Sequence, residues 1–238
     1  MSGTFKTLLS AGRTSSGKVR ARNEDAFLDC PQQGTWVVAD GMGGHSRGDL
    51  ASQLIVDTIA GRVGPGSLDQ RVAQVSHRLL QVNQLLMRSR LQSSLTGSTV
   101  VALLIEGPRA VCMWAGDSRC YLWRDRRLYQ LSRDHSLRQQ LISEQNMCPQ
   151  QAARHPQAHA LTRAVGGNDQ LSLDRIELDV RQGDVFVLCS DGLYQTLDYH
   201  ILSNALSIKS ARVAVDLLCD HALRGAAVDN LTALVVRA

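Results

Sequence analysis

Trp36-Val37-Val38-Ala39-Asp40-Gly41-Met42-Gly43-Gly44-His45 is the stretch on which the reading of the fold turns. Four apolar residues run unbroken into an aspartate and a glycine-rich loop. A run this short, rich in Val and bounded by turn residues, reads as a buried strand. The pattern recurs. Residues 185–190 run into Asp191-Gly192, and Asp229-Asn230 stands just before residues 231–236, apolar except for Thr232. An Asp at the end of a buried strand is rigidly held yet can reach solvent. Asp-Gly and Asp-Asn are also ordinary turn dipeptides, so a single case would mean little. Three of them, converging from distant parts of the chain, would form a site for hard divalent cations.

Outward from this stretch, the pattern changes to helical. Residues 46–63 carry Leu50, Leu54, Ile55 and Ile59 at helical spacing. A second helix is expected from an N-cap at Ser67 to about residue 92, with a stripe of Val72, Val75, Leu79 and Leu86. Each is apolar on one face and should lie on something flat. Strands follow at 99–105 and 110–115, separated by a Gly107-Pro108 turn. A hairpin over 120–131 has Arg124-Asp125-Arg126-Arg127 at its tip. Residues 136–167 are polar and suggest short helical pieces. Residues 175–180 alternate Ile176, Leu178 and Val180 with polar neighbours, as a half-buried strand does. Two more helices fit 199–206 and 211–223. Helices come in blocks between groups of strands, without strict alternation, which favours antiparallel sheets with helices outside them.

Composition narrows the function. An apolar fraction of 44% over 238 residues supports a sizeable core. No linker, repeat or low-complexity segment divides the chain, so one domain over residues 1–238 is expected. The net charge of +4 is scattered and aromatics are only 4%, which argues against a basic or stacking surface for nucleic acid. None of the six cysteines forms a C-x-x-C pair. Cys112, Cys189 and Cys219 lie in apolar surroundings and read as small core residues. The N-terminus lacks a signal-peptide pattern, and no apolar run approaches the roughly 18 residues of a membrane span. The expectation is a cytoplasmic protein with free thiols and no membrane role.

Five motifs carry chemistry. Arg20-Ala21-Arg22-Asn23-Glu24-Asp25 offers a planar guanidinium suited to phosphate and two carboxylates that can help hold a metal or its waters. Asp40-Gly41-Met42-Gly43-Gly44-His45 is neither a Walker loop nor G-x-G-x-x-G. Its bare glycines let backbone approach a ligand, so the Gly41 carbonyl is itself a candidate metal ligand. Gly116-Asp117-Ser118-Arg119, Ser190-Asp191-Gly192 and Asp229-Asn230-Leu231-Thr232 complete the set.

Taken in order with Asp134-His135-Ser136 and with His155-Pro156 leading to Leu161-Thr162-Arg163-Ala164-Val165-Gly166, these motifs resemble the PP2C-type (PPM) serine/threonine phosphatases in their bacterial form. The resemblance runs from about Ser10 to Val236. It implies an α+β fold: a four-layer α-β-β-α sandwich of two antiparallel sheets with flanking helices and a metal site at one edge. It implies two Mn²⁺ or Mg²⁺ ions, and a third, weaker position. Asp40 would bridge the pair, the Gly41 carbonyl would bind one ion, and Asp191 and Asp229 the other. Asp117 with Asp191 would serve the third position. Glu24 and Asp25 would bind directly or through water, and Arg20 would hold phosphate. The implied reaction is in-line attack by a water activated between the ions, without a phosphoenzyme. Phosphoproteins would be the substrates, and a bacterial Hanks-type Ser/Thr kinase the counterpart of a stand-alone phosphatase.

Two departures from the family stand out. Met42 occupies the position where eukaryotic members carry the His proposed as general acid. That leaves the proton donor open, a metal-bound water being one candidate, and His45 is expected to cap the following helix. The segment from Asp134 to Gly166 matches the family's flap, yet Ser143-Glu144-Gln145-Asn146 lacks the usual mid-flap glycine. Two other classes compete. A non-catalytic PP2C-like scaffold would be expected to have lost a metal Asp, and Asp40, Asp191 and Asp229 are all present. A serine hydrolase is suggested by Gly116-Asp117-Ser118, but neither G-x-S-x-G nor a C-terminal D-x-x-H accompanies it.

Overall fold

The computed structural model describes residues 8–43, 47–62, 64–90 and 96–238. In chain order the first strands are β1 (Leu9–Ser15), β2 (Asp25–Cys30), β3 (Thr35–Gly43), β4 (Thr96–Ser98), β5 (Val100–Glu106) and β6 (Arg109–Ala115). The later ones are β7 (Arg119–Arg124), β8 (Arg127–Gln130), β9 (Asp174–Asp179), β10 (Val185–Cys189) and β11 (Leu231–Arg237). The helices are α1 (Gly48–Arg62), α2 (Leu68–Arg90), α3 (Leu137–Glu144), α4 (Pro149–Ala153), α5 (Asp191–Tyr194), α6 (Tyr199–Ser207) and α7 (Ala211–Arg224). One antiparallel sheet has the order β1-β11-β10-β7-β8. The other has β2-β3-β5-β6-β9, with β4 paired to the end of β3.

Side-chain alternation explains the layering. On β3, Trp36 and Val38 face the opposite sheet, while Val37 and Ala39 face α1 and α2. On β5, Val101, Leu103 and Ile105 point inward to the other sheet, and Val100, Ala102 and Leu104 outward to the helices. The same holds across the sandwich. Phe186, Leu188, Leu234 and Val236 fill the space between the sheets, whereas Val187, Cys189, Ala233 and Val235 pack under α6 and α7. Strands apolar on both faces are what a four-layer α-β-β-α sandwich demands, and this is the expected architecture. At about 25 cal/mol per Å², burial on both faces makes these strands the main apolar contribution to stability.

The second helix starts as read. The Ser67 hydroxyl accepts the Gln70 N–H at 3.4 Å and the Gln70 side chain accepts the Ser67 N–H at 3.0 Å, a reciprocal cap. Val72, Val75, Leu79 and Leu86 are all buried. The hairpin tip is confirmed too: Asp125 and Arg126 both have positive φ, as a two-residue primed turn requires.

Other readings need correction. Leu50 is 62% exposed, because α1 presents Ala51, Ile55, Val56 and Ile59 to the sheet and Leu50 is turned off that face. The strand over 175–180 is half-buried as read, with Ile176 its more exposed apolar residue at 37%. This strand, β9, pairs only with β6, at the sheet edge, and the inter-sheet core reaches Leu178 and Val180 but not Ile176. The short helix α5 and strands β1 and β2 have no apolar run to announce them. The missing flap glycine has a replacement: Asn146, just past α3, adopts φ of 51°, a conformation Asn tolerates better than most residues. His45, expected as a helix cap, lies outside the described residues.

Candidate active site

The inward alternation of β3 continues past the core to Asp40, which opens onto a cleft at the sandwich edge. The cleft has a volume of about 340 Å³, and its walls include Arg20, Glu24, Asp40, Gly41, Asp117, His159, Asp191 and Asp229. Asp40 is held by its backbone: its N–H donates to the Thr99 hydroxyl at 3.1 Å, and its carbonyl accepts from the Ser98 hydroxyl at 3.0 Å. The Asp40 carboxylate is therefore left to the cleft.

Asp25 lies directly opposite Asp40 in the β2–β3 ladder, but behind the cleft wall. It reaches across to the other sheet, where the hydroxyls of Thr232 and Ser190 donate to its Oδ2 at 2.6 and 2.7 Å. The Thr232 proton is committed there, so the 2.8 Å contact with Thr14 runs from Thr14 to Thr232, and Thr14 in turn accepts from the Asn23 amide. Glu24 takes the opposite course and lines the cleft, so the acidic pair is split between the open site and its support.

Asp191 follows β10, and Asp229 precedes β11. Gly192 lets these segments meet, and Gly41 lets β3 meet the start of α1. A Cβ on Gly192 would lie 2.0 Å from the Asn230 carbonyl oxygen, and one on Gly41 would lie 2.1 Å from that of Gly48. The bareness of Gly41 is thus used against the protein's own backbone. Asn230 clamps the Arg20 loop. Its Oδ1 accepts the Glu24 N–H at 2.9 Å, and its Nδ2 donates to the carbonyls of Ser16 and Arg22 at 3.1 and 2.8 Å. Arg20, on that loop, donates to Asp229 at 2.8 Å.

Crowding governs the electrostatics. Burial, reinforced by the Asp25 and Asp191 charges, pushes the Asp40 carboxyl well above the usual carboxylate range. Burial likewise pushes Asp25 up to about 6 and Asp117 up to about 7. Asp191 is raised by burial and by Asp229, and comes within hydrogen-bond reach of Asp40. The Oδ1 of Asp25 is buried without a hydrogen-bond partner. An orphaned carboxylate oxygen among mutually repelling carboxylates, all hard oxygen donors, fits a divalent cation. Among the described residues no three Asp, Glu, His or Cys side chains close into a ready cage. The carboxylates instead ring an open cleft, with Asp229 engaged by Arg20 and Asp25 by the two hydroxyls. Bound ions would themselves draw such ligands together.

Asp117 sits on a braced loop. Arg119 makes a two-pronged ion pair with Asp134 at 2.8 and 2.6 Å and lies 3.7 Å over the Tyr194 ring. His135 Nδ1 accepts the Gly116 N–H at 3.2 Å, so its Nε2–H faces Asp174, which Arg163 also binds. The D-H-S motif thus ties the flap to the Asp117 loop. Sequence reasoning missed the supporting roles of Thr99, Ser190, Asn230 and Thr232, and it missed His159 altogether. For Ser190 and Thr232 a signal existed: Thr232 holds an inward position of the otherwise apolar β11, and Ser190 continues the inward alternation one residue past β10.

The model of the protein phosphatase 2C family matches residues 14–219. The chain is 33% identical over 230 residues to the serine/threonine protein phosphatase PstP of Mycobacterium tuberculosis, covering 94% of this chain and 44% of that protein. It therefore spans less than half the length of that relative. Among solved structures, PppA, described as a key regulatory component of T6SS in Pseudomonas aeruginosa, superposes with a TM-score of 0.90 at 44% identity, covering 98% of both chains. The catalytic domain of PstP in complex with two manganese ions superposes at 0.85 with 32% identity and 97% coverage of both. Carrying that family's ordered motifs on its fold, the chain belongs to the protein phosphatase 2C family.

Proposed function

We propose that this cleft hydrolyses phosphoserine and phosphothreonine esters of proteins with divalent cations held by its carboxylates. The observation that carries the reading is the buried, mutually repelling carboxylate set around an Asp25 oxygen with no partner. Asp40 would serve two ions, with the Gly41 carbonyl on one and Asp191 and Asp229 on the other. Asp117 with Asp191 would serve a third, and Glu24 and Asp25 would contribute directly or through water. The all-oxygen donor set favours Mn²⁺ or Mg²⁺ over softer metals, and the manganese-bound PstP domain supports two ions. Bound there, such ions supply neutralising charge and a water that loses its proton readily.

Arg20 is the proposed phosphate ligand. Its guanidinium is 53% exposed and bonded to Asp229, so exchanging that carboxylate for phosphate oxygens costs little desolvation. Asn230 holds the Arg20 loop against β11, which keeps the guanidinium at the cleft rim. The inter-sheet core draws on side chains from Phe27 to Val236, which supports one domain over residues 1–238. Among the described residues no helix is long and apolar enough to cross a membrane. That and the six free cysteines are consistent with the cytoplasmic location proposed here. A Hanks-type Ser/Thr kinase is the proposed counterpart, since such a cleft needs a source of phosphoserine. The likeness to PppA makes phosphoproteins of type VI secretion the first substrates to test.

The experiment is release of phosphate from a phosphothreonine peptide in Mn²⁺, in Mg²⁺ and in EDTA. Release that depends on metal supports the reading. Folded protein that releases none under any condition overturns it in favour of a scaffold.

A further inference from the structure

The leaving group of a phosphoserine or phosphothreonine ester is an alkoxide, which needs a proton as its bond to phosphorus breaks. Resting on the phosphatase reading above, the cleft narrows the choice of donor. Its carboxylates are the proposed metal ligands, and arginine does not give up its proton. Met42 and Leu161 have none to give. The Thr99 hydroxyl is engaged with Ser118 at 2.7 Å and with the Asp40 N–H. The Asn230 amide is spent on two carbonyls. Among the described lining residues this leaves His159.

His159 is well placed. It belongs to the flap and lines the cleft together with Leu161. It is exposed to solvent. The backbone beneath it is pinned. The carbonyls of Ala158 and Ala160, on either side, accept the N–H groups of Arg138 and Leu137 at 2.9 and 2.8 Å. Ala158 is itself buried. The imidazole is thus presented from a fixed point, and histidine is the side-chain type suited to donating and regaining a proton near neutrality.

We propose that His159 is the general acid of this cleft, giving a proton to the serine or threonine Oγ as that oxygen leaves phosphorus. The electron pair of the broken P–O bond stays on Oγ and takes the proton, leaving neutral imidazole and a free hydroxyl. A new P–O bond forms to the oxygen of the attacking water. The proton which that water sheds replaces, through solvent, the one His159 gave.

The test compares two leaving groups on the full chain with saturating Mn²⁺. A phosphothreonine peptide expels an alkoxide and needs the proton, whereas p-nitrophenyl phosphate expels a stable phenolate and does not. His159→Ala and His159→Gln should each lower kcat on the peptide about 100-fold and leave kcat on p-nitrophenyl phosphate within about threefold. Retained aryl activity also verifies the fold. An equal fall on both substrates overturns the proposal, as does a wild-type kcat on the peptide in the Gln variant. A rise in KM alone overturns it by marking a docking residue. Wild-type protein inactive on both substrates would overturn the phosphatase reading itself, and this proposal with it.

Discussion

Replacing Asp25 by Asn should make the metal-free protein more stable at pH 8, with the advantage falling to about half at pH 5 and fading below about pH 4. Asp25 is pushed from 3.8 to about 6 by burial, with the Asp191 and Asp229 charges adding to it. The folded chain therefore holds this proton more tightly than the unfolded chain does. Stability from that proton is complete below about pH 4 and is lost as pH rises through about 6. A rise of about two pH units, at 1.36 kcal/mol each, gives about 3 kcal/mol as the cost of ionising Asp25 in the fold. Asn mimics the protonated acid and is spared that cost. For a chain of this length, 1 kcal/mol moves Tm by about 2–4 °C, so the variant should melt roughly 6–12 °C higher at pH 8. Thermal melts in EDTA at pH 4, 5, 6 and 8 measure the difference, which should grow between about pH 4 and 6 and level off above. Mn²⁺ at about 1,000 times its Kd for the wild type should reverse the order, because it adds about 4.1 kcal/mol and the variant would bind it more weakly. Identical pH slopes for the two proteins in EDTA would refute the claim that Asp25 is a strained, cation-seeking carboxylate.

Asp40→Ala and Asp191→Ala should each abolish phosphothreonine hydrolysis while circular dichroism stays unchanged; wild-type rates in either would remove that residue from the site. Arg20→Ala should raise KM for the peptide more than it lowers kcat, about tenfold for one lost charge-assisted contact, and steady-state kinetics would expose an unchanged KM. Gly192→Ala should cost more than about 2 kcal/mol in urea melts, because the new methyl would collide with the Asn230 carbonyl oxygen at 2.0 Å. A near-neutral value would mean that the two segments part more easily than their packing suggests.

The legible elements share a physical cause. β3, β5, β6, β10 and β11 are buried on both faces, so their residues form continuous apolar runs that few other structures require. The aspartates that end the apolar run of β3, follow β10 and precede β11 stand out by contrast with those runs. β1 and β2 escaped notice because they lie at the sheet margin and carry Ser, Thr, Arg and Asp. Leu50 misled because helical spacing gives a face but not its rotation toward the sheet. The support beneath the site was the least legible part. The bonds from Ser190 and Thr232 to Asp25 join residues more than 160 positions apart, and no local pattern encodes such a meeting. His159 lay hidden for a related reason, in a polar flap whose path over the cleft is fixed only by tertiary contacts.

Asp25 and Asp40 belong to one sheet, while Asp191 and Asp229 flank strands of the other, and the two sheets are not paired to each other. Deeper in, oily side chains hold these leaves together. At the mouth, hydroxyls and carboxylates take over. A cation seated there would act as a rivet through both leaves. Its loss would loosen the mouth while the interior stayed dry, and amide exchange would quicken together at residues 40–43 and 229–232. Chemistry and mechanical closure would then answer to one variable, so metal supply would set how tightly the enzyme is fastened as well as how fast it turns over.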